Sequence, residues 1–309
     1  MATAKQLTAS DKLKWWSGKS LDIVPEWIES HCVVPDGDFD LDGKKPPFLL
    51  RDYQLCFVTN HYAVKPSAKP EMKSSAFAHQ LSVLVDAQKK GKSPLVAALI
   101  CVEALGPALF AGFAKGGEEW DCAEHNCDCG WVYKYSPGEP MARQWTSPLI
   151  QVTANSEAQT GNTYDALRPM IDYGPLHDQI PRTGEEVIRL PSGKAAQIVP
   201  VTAKAKSRLG ARVTCVPWDE AGLYADQSMW EGLSACLSRS VRAEVMPETI
   251  HEKAAPRASI THCFGSSEKP SPPVWGAGLV AGDGVAAGTG GFVTGVTGAR
   301  EAPDPACCP

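Results

Sequence analysis

An apolar run at residues 81–85, Leu-Ser-Val-Leu-Val, leads through a basic turn, Lys89-Lys90-Gly91-Lys92-Ser93-Pro94, into an apolar helical stretch at residues 95–105. Strand, Gly-Lys-Ser, helix is the layout of a phosphate-binding loop, and it points to an α/β chain in which a strand end faces a helix N-terminus. At such a junction backbone N–H groups and the positive end of the helix dipole cradle phosphates. Lys92 would reach the β/γ oxygens and the Ser93 hydroxyl would ligate Mg²⁺. The full pattern also asks for a glycine five residues before Gly91, where this chain has Asp86. A solvated basic turn is the alternative reading of the same residues.

Two further stretches give the loop partners. Residues 213–218, Val-Thr-Cys-Val-Pro-Trp, read as a strand running into Asp219 and Glu220. Nucleotide hydrolysis needs such a pair at the carboxyl end of a strand beside the phosphate loop, Asp219 to hold the Mg²⁺ shell and Glu220 to polarise the attacking water. An acidic helix N-terminus is the alternative, and Pro217 is an awkward residue for a central strand. Upstream, Pro46 and Pro47 precede Phe48, Arg51, Tyr53 and Gln54. The Gln54 amide offers a donor and an acceptor together, which suits the edge of adenine, and the aromatic neighbours could stack on the base. An ordinary helix start after a proline pair competes with that reading. Residues 149–153 form a buried-strand run, and Ser156 and Gln159 have the spacing of a capping box. Tyr164, Leu167, Met170 and Ile171 then recur at helical spacing, as core.

These motifs together resemble the ATPase half of the large subunit of a tailed-phage terminase, the motor that packages DNA, in the branch found in phages of actinobacteria. The resemblance rests on residues 48–54, 86–94 and 149–164, and on residues 207–212 leading into Asp219 and Glu220. It implies a P-loop NTPase of the ASCE type, with a mostly parallel sheet flanked by helices. Residues 1–62 would be a helical lid with the adenine-binding segment, and residues 63–265 the ATPase core. It implies ATP and Mg²⁺ as cofactors, and hydrolysis coupled to translocation of double-stranded phage DNA. Gln54, Gln88, Lys89, Lys90, Gly91, Lys92 and Ser93 would surround the nucleotide. Ser93 and Asp219 would hold Mg²⁺, and Glu220 would activate water. A basic residue against the γ-phosphate would come from Lys89, Lys90, Arg208 or Arg212, with Arg212 preferred for its closeness to the acidic strand. The implied partners are a portal protein, the terminase small subunit and further copies of the chain in a ring, in the cytoplasm of an infected bacterial host. A helicase-like DNA-dependent ATPase and a non-catalytic nucleotide-binding remnant are the alternatives.

The same resemblance implies an RNase H-like nuclease domain with its own acidic metal cluster. Nothing after Glu220 supplies one, so DNA cleavage by this chain is not expected. From residue 266 the chain is Gly, Ala, Pro, Val and Thr without helical or alternating period. Residues 266–309 are expected to be a low-complexity tail, either frameshifted or disordered.

A net charge of −5 gives no global basic field for nucleic acid. With 43% hydrophobic residues the chain can fill a core, yet it has no apolar run of membrane-spanning length, so no membrane partner is expected. Eleven cysteines in 309 residues do not form the pattern of a secreted disulfide scaffold. Four potential ligands, Cys122, His125, Cys127 and Cys129, could close a zinc site. Their spacing lacks the paired two-residue knuckles of usual zinc sites, and the flanking Asp, Glu, Asn and Gly residues favour an exposed insertion with free thiols. Residues 36–43 resemble a calcium loop only in part, because Pro47 stands where the bidentate glutamate belongs, so a polar turn is expected there.

Overall fold

The computed structural model describes residues 9, 19–84, 86, 90–154, 157–180, 182–184, 186–202, 212–218 and 242–245. In chain order its helices are α1 (Ile23–His31), α2 (Asp52–His61), α3 (Lys92–Leu105) and α4 (Glu157–Asp172). The strands are β1 (Leu81–Val83), β2 (Leu109–Phe113), β3 (Glu119–Asp121), β4 (Val132–Lys134), β5 (Pro140–Arg143), β6 (Leu149–Ala154), β7 (Ile188–Arg189), β8 (Gln197–Thr202), β9 (Cys215–Trp218) and β10 (Arg242–Val245).

Among the described residues six strands form one sheet in the order β1-β10-β9-β6-β8-β7. Neighbours pair in parallel except at the edge, where the two-residue β7 runs antiparallel to β8. Parallel strands need covered faces, and their sequences accordingly read as short apolar runs rather than as alternation. The strands expected at residues 81–85, 149–153 and 213–218 are all present, slightly shifted at their ends. β10 was not foreseen, and it lies between β1 and β9.

Helix α3 is apolar on every side, and each residue at positions 95–105 is buried. Such a helix must be enclosed. It packs against α4, α1, β6 and β9. Within its buried stretch one residue is charged, Glu103, whose carboxylate accepts from the Tyr62 hydroxyl and the Trp145 indole N–H, each at 2.9 Å. These bonds satisfy a group that would be costly to bury alone. α4 buries Tyr164, Leu167, Met170 and Ile171, the residues whose spacing marked them as core, and the Tyr164 hydroxyl donates to the Ile198 carbonyl.

The N-terminal helices belong to the same core. Trp27, Ile28, Leu50, Leu55, Val58 and Tyr62 form one continuous apolar cluster with α3. Glu29 of α1 accepts from the backbone N–H of Leu50 at 2.9 Å, and His61 of α2 meets the Ser82 hydroxyl of β1 at 2.7 Å. The acidic segment before α2 is a polar turn as expected, with Asp40 accepting from the N–H groups of Asp42 and Lys44. The stretch between α3 and β6 departs from the exposed insertion expected of it. β2 pairs with β5, β3 pairs with β4 between them, and Trp120, Cys122, Cys127 and Tyr135 are buried.

Pro217 does stand inside an internal strand, level with Glu244 of β10. Proline cannot donate to a ladder, and the described β6–β9 pairs are Ile150 with Cys215 and Thr153 with Trp218, either side of the gap. Beside that gap the fully buried Thr153 hydroxyl adds a cross-strand bond by donating to the Pro217 carbonyl at 3.0 Å. Thr153→Val keeps the shape and removes the donor, so it is expected to cost about 1–3 kcal/mol of stability. A urea unfolding series beside the wild type measures this, and an unchanged midpoint would show that the bond carries no stability.

Candidate functional site

Parallel strands all present their carboxyl ends at one edge of the sheet, where open α/β sheets place ligands. Val83, the last residue of β1, is level with Val245 of β10, and Val245 is level with Trp218, the last residue of β9. β1 and β9 therefore end side by side with one strand between them. At about 4.8 Å per strand spacing the two ends are about 10 Å apart. Asp219 and Glu220 follow Trp218 directly in sequence and lie outside the described residues, as do Gln88, Lys89 and Arg208.

On the β1 side, Gly91 is the N-cap of α3, with φ of +86° in the left-handed region that favours glycine. The first-turn N–H groups of a helix have no carbonyl four residues back to accept them. Pro94 removes one donor from this turn, leaving those of Lys92 and Ser93 beside the positive end of the helix dipole. The Lys92 ammonium lies across the loop and donates to the Asp86 carbonyl at 2.9 Å. A backbone carbonyl and a phosphate oxygen ask the same of an ammonium, a donor and a positive charge.

Gln54 and Tyr53 sit against this loop. The Gln54 amide oxygen accepts from the Arg51 N–H at 2.9 Å, half of a capping box at the start of α2, while its NH₂ donates to the Gly91 carbonyl at 3.3 Å. The side chain is buried. The Tyr53 hydroxyl donates to the Lys90 carbonyl. Burial, and then the charge of Asp86, raises the Tyr53 phenol above its ordinary range and keeps it a protonated donor. The segment expected to read adenine is thus bonded directly to the segment expected to hold phosphate.

Arg212 does not join this group. It is exposed and stands before β9 at its amino end, where the next residues bond to the first residue of β6, Thr214 donating to the Leu149 carbonyl. The four residues of β9, at about 3.3 Å each, separate it from the carboxyl edge by roughly 10 Å or more. Closeness in sequence to the acidic strand placed it at the wrong end of that strand.

The cysteine–histidine group also differs from its sequence expectation. Cys122, Cys127 and Cys129 do converge, but the histidine that meets them is His31, the last residue of α1. All four ligand atoms lie within 4.8 Å of one another. His31 Nε2 is 3.2 Å from the Sγ atoms of both Cys122 and Cys129. His125 instead stacks on Trp120, with ring centroids 3.7 Å apart. Burial alone would lower His31, yet hydrogen bonds with Cys127 and Cys129 lift it to about 9. The Cys127 thiol is pulled down to about 3, chiefly by its hydrogen bond with Cys122.

No protein-family model and no curated protein matches the chain. Among solved structures it is similar to the large terminase of bacteriophage HK97, with 18% identity and a TM-score of 0.44 over 73% of this chain. It is also similar to an arginine-to-alanine mutant of the ATPase domain of the large terminase of Thermus phage P74-26, with 14% identity and a TM-score of 0.32 over 56% of this chain. The chain spans 36% of the length of the first and 61% of the second. At these TM-scores neither similarity carries weight for function, which rests on the residues of the chain itself.

Gly91 makes the loop testable in isolation from chemistry. A Cβ at this position would meet Gln54 Nε2 at 3.4 Å on a left-handed backbone. Gly91→Ala is therefore expected to lose about 1–2 kcal/mol of stability, read from chemical denaturation. An unchanged stability would mean the N-cap geometry does not constrain the loop.

Proposed function

We propose that the chain is an ATP-hydrolysing motor domain of the kind that packages phage DNA. The observation that carries the reading is the register of the sheet: the strand before the phosphate loop and the strand before Asp219-Glu220 end level with each other, one strand apart. A nucleotide triphosphate at the N-terminus of α3 would have its terminal phosphate directed toward the end of β9. The sequence resemblance to terminase large subunits supports the assignment of the work to DNA translocation.

In this reading Lys92 and the first-turn N–H groups of α3 hold the β- and γ-phosphates. Ser93 and Asp219 would hold Mg²⁺, which would supply positive charge to offset that of the phosphates. The donor set fits that ion, since a hydroxyl and a carboxylate are the oxygen ligands Mg²⁺ takes beside phosphates. Glu220 takes the proton of the attacking water. Gln54 and Tyr53 fix the loop through the carbonyls of Gly91 and Lys90, and the second amide hydrogen of Gln54 is the group assigned to the base. Lys89 or Lys90 supplies the additional positive charge at the γ-phosphate, since both directly precede Gly91 in sequence. Double-stranded DNA, a portal, a small subunit and further copies of the chain are the partners such a motor would engage.

Hydrolysis of Mg²⁺-ATP by the purified chain, measured beside Lys92→Ala and Glu220→Gln, tests this. The wild type is expected to hydrolyse ATP, faster with double-stranded DNA present. Both variants are expected to lose roughly 10²-fold or more in rate, with ATP binding retained in Glu220→Gln. A folded wild-type chain that neither binds nor hydrolyses ATP overturns the proposal.

A further inference from the structure

We propose that His31, Cys122, Cys127 and Cys129 form a structural zinc site that fastens the β3–β4 ribbon to the C-terminal end of α1. One imidazole and three thiolates form one of the ligand sets that close a tetrahedral structural zinc site without an open position. With zinc–sulfur distances near 2.3 Å and zinc–nitrogen distances near 2.0–2.1 Å, tetrahedral geometry asks for ligand atoms roughly 3.5–3.8 Å apart. The four atoms all lie within 4.8 Å of one another, and two of the pairs are at 3.2 Å, so a small adjustment of side chains reaches that geometry.

The surroundings are built as a metal site requires. His31 Nδ1 lies 3.0 Å from the Trp27 carbonyl, which can only accept, so this nitrogen carries a proton and Nε2 is the nitrogen turned toward the sulfurs, the one a metal would take in place of a proton. Fixing the tautomer from behind in this way is the usual role of the groups around a ligating histidine. The ring is clamped between Trp27, stacked at 4.5 Å, and the edge of Trp131 at 5.4 Å. The backbone N–H of Trp131 points at Cys129 Sγ at 3.4 Å. Around the thiols the chain curls tightly. The Cys127 N–H donates to the Cys122 carbonyl at 3.1 Å, Asn126 adopts φ of +59°, and Gly130 adopts φ of +73°. His31, Cys122 and Cys127 are buried and Cys129 is exposed, which leaves a short path for an ion to enter. Three thiols and an imidazole gathered in a largely buried place, with no disulfide among them, are costly without a cation and favourable with one.

The site would join two segments 91 residues apart in sequence. α1 packs on α3, so the staple also braces the insertion against the helix that starts from the proposed phosphate loop.

The test is a metal count on the full chain, purified under reducing conditions and dialysed after exposure to Zn²⁺, with no nucleotide present. One tightly held zinc per chain is expected, and the Co²⁺-substituted chain should show the absorption of tetrahedral cobalt with thiolate charge transfer. His31→Ala and Cys127→Ser should lose the metal, whereas His125→Ala should keep it. Because His31 is buried, each variant is checked for fold by circular dichroism, and the wild-type cobalt spectrum stands independently of them. A folded wild type that retains no zinc overturns the proposal. So does a disulfide between two of the three cysteines in the folded chain, or zinc retained in His31→Ala and lost in His125→Ala. The count does not depend on ATP chemistry, so it can fail while the hydrolysis assay succeeds, and the reverse.

Discussion

An α-helix with no polar face has to be surrounded, and α3 is such a helix. Burying Leu95, Leu99, Ile100, Val102 and Leu105 is worth about 1.5–3 kcal/mol each, and each of these side chains is buried. That gain is available only if something covers every side, and here α4, α1 and the sheet do so. The position of the helix N-terminus then follows. It cannot slide along its axis without exposing one end, and Glu103 fixes it further by bonding to Tyr62 at the end of α2 and Trp145 beyond the insertion. The turn proposed to bind phosphate is attached to this enclosed helix. A loop meant to hold a polyanion at a constant distance from an acidic pair needs that kind of support.

The parts of this arrangement legible in the sequence are those that depend on neighbours in the chain. Runs of apolar residues marked β1, α3, β6 and β9, and helical spacing of apolar residues marked α4, because burial of a strand or helix is written in nearby residues. Gly91 before Lys92 and Ser93 marked the N-cap for the same reason. β10 was not legible, because Arg242, Ala243, Glu244 and Val245 carry no apolar run; it is a strand through its two parallel neighbours. The insertion was read as exposed because its Asp, Glu, Asn and Gly residues outnumber the aromatic ones that bury it. Trp120, Tyr135 and the cysteines find their partners on α1 and elsewhere, far away in sequence.

The candidate sites divide along the same line. The residue types of Cys122, Cys127 and Cys129 suggested a shared metal although their spacing spoke against one, and these residues converge. The choice of histidine failed, since proximity in the chain favoured His125 while geometry brings in His31. The only signal that His31 gave was its place at the end of an apolar helix next to Cys32. Arg212 stands at the amino end of β9 rather than beside Asp219, because a strand has two ends on opposite edges of a sheet and a residue near a strand in sequence is near only one of them. Gln54 is a different case. Its amide was read as a group for adenine, and it is engaged within the chain, with the Arg51 N–H on its oxygen and the Gly91 carbonyl on its nitrogen. A contact to a base made by the same amide would be felt at Gly91 without any intermediary.

The N-terminal segment bears on where movement can occur. As a lid, α1 would have to swing away from the nucleotide. Yet its Trp27 and Ile28 lie in one apolar cluster with α3, its Glu29 holds the Leu50 N–H, and its last residue meets three cysteines of the insertion. Freeing α1 would expose that apolar surface and strip partners from a buried carboxylate and a buried imidazole at once, each a loss of more than a single hydrogen bond. Between the first turn of α2 and the turn before α3, the described residues make contacts of a different kind, the Tyr53 hydroxyl on Lys90 and the Gln54 amide on Gly91. Neither buries new apolar area when it forms. Local opening takes place where few apolar contacts are lost, so the change that accompanies nucleotide binding is expected at the loop and its two tethers, with α1 and α2 as the fixed wall behind them.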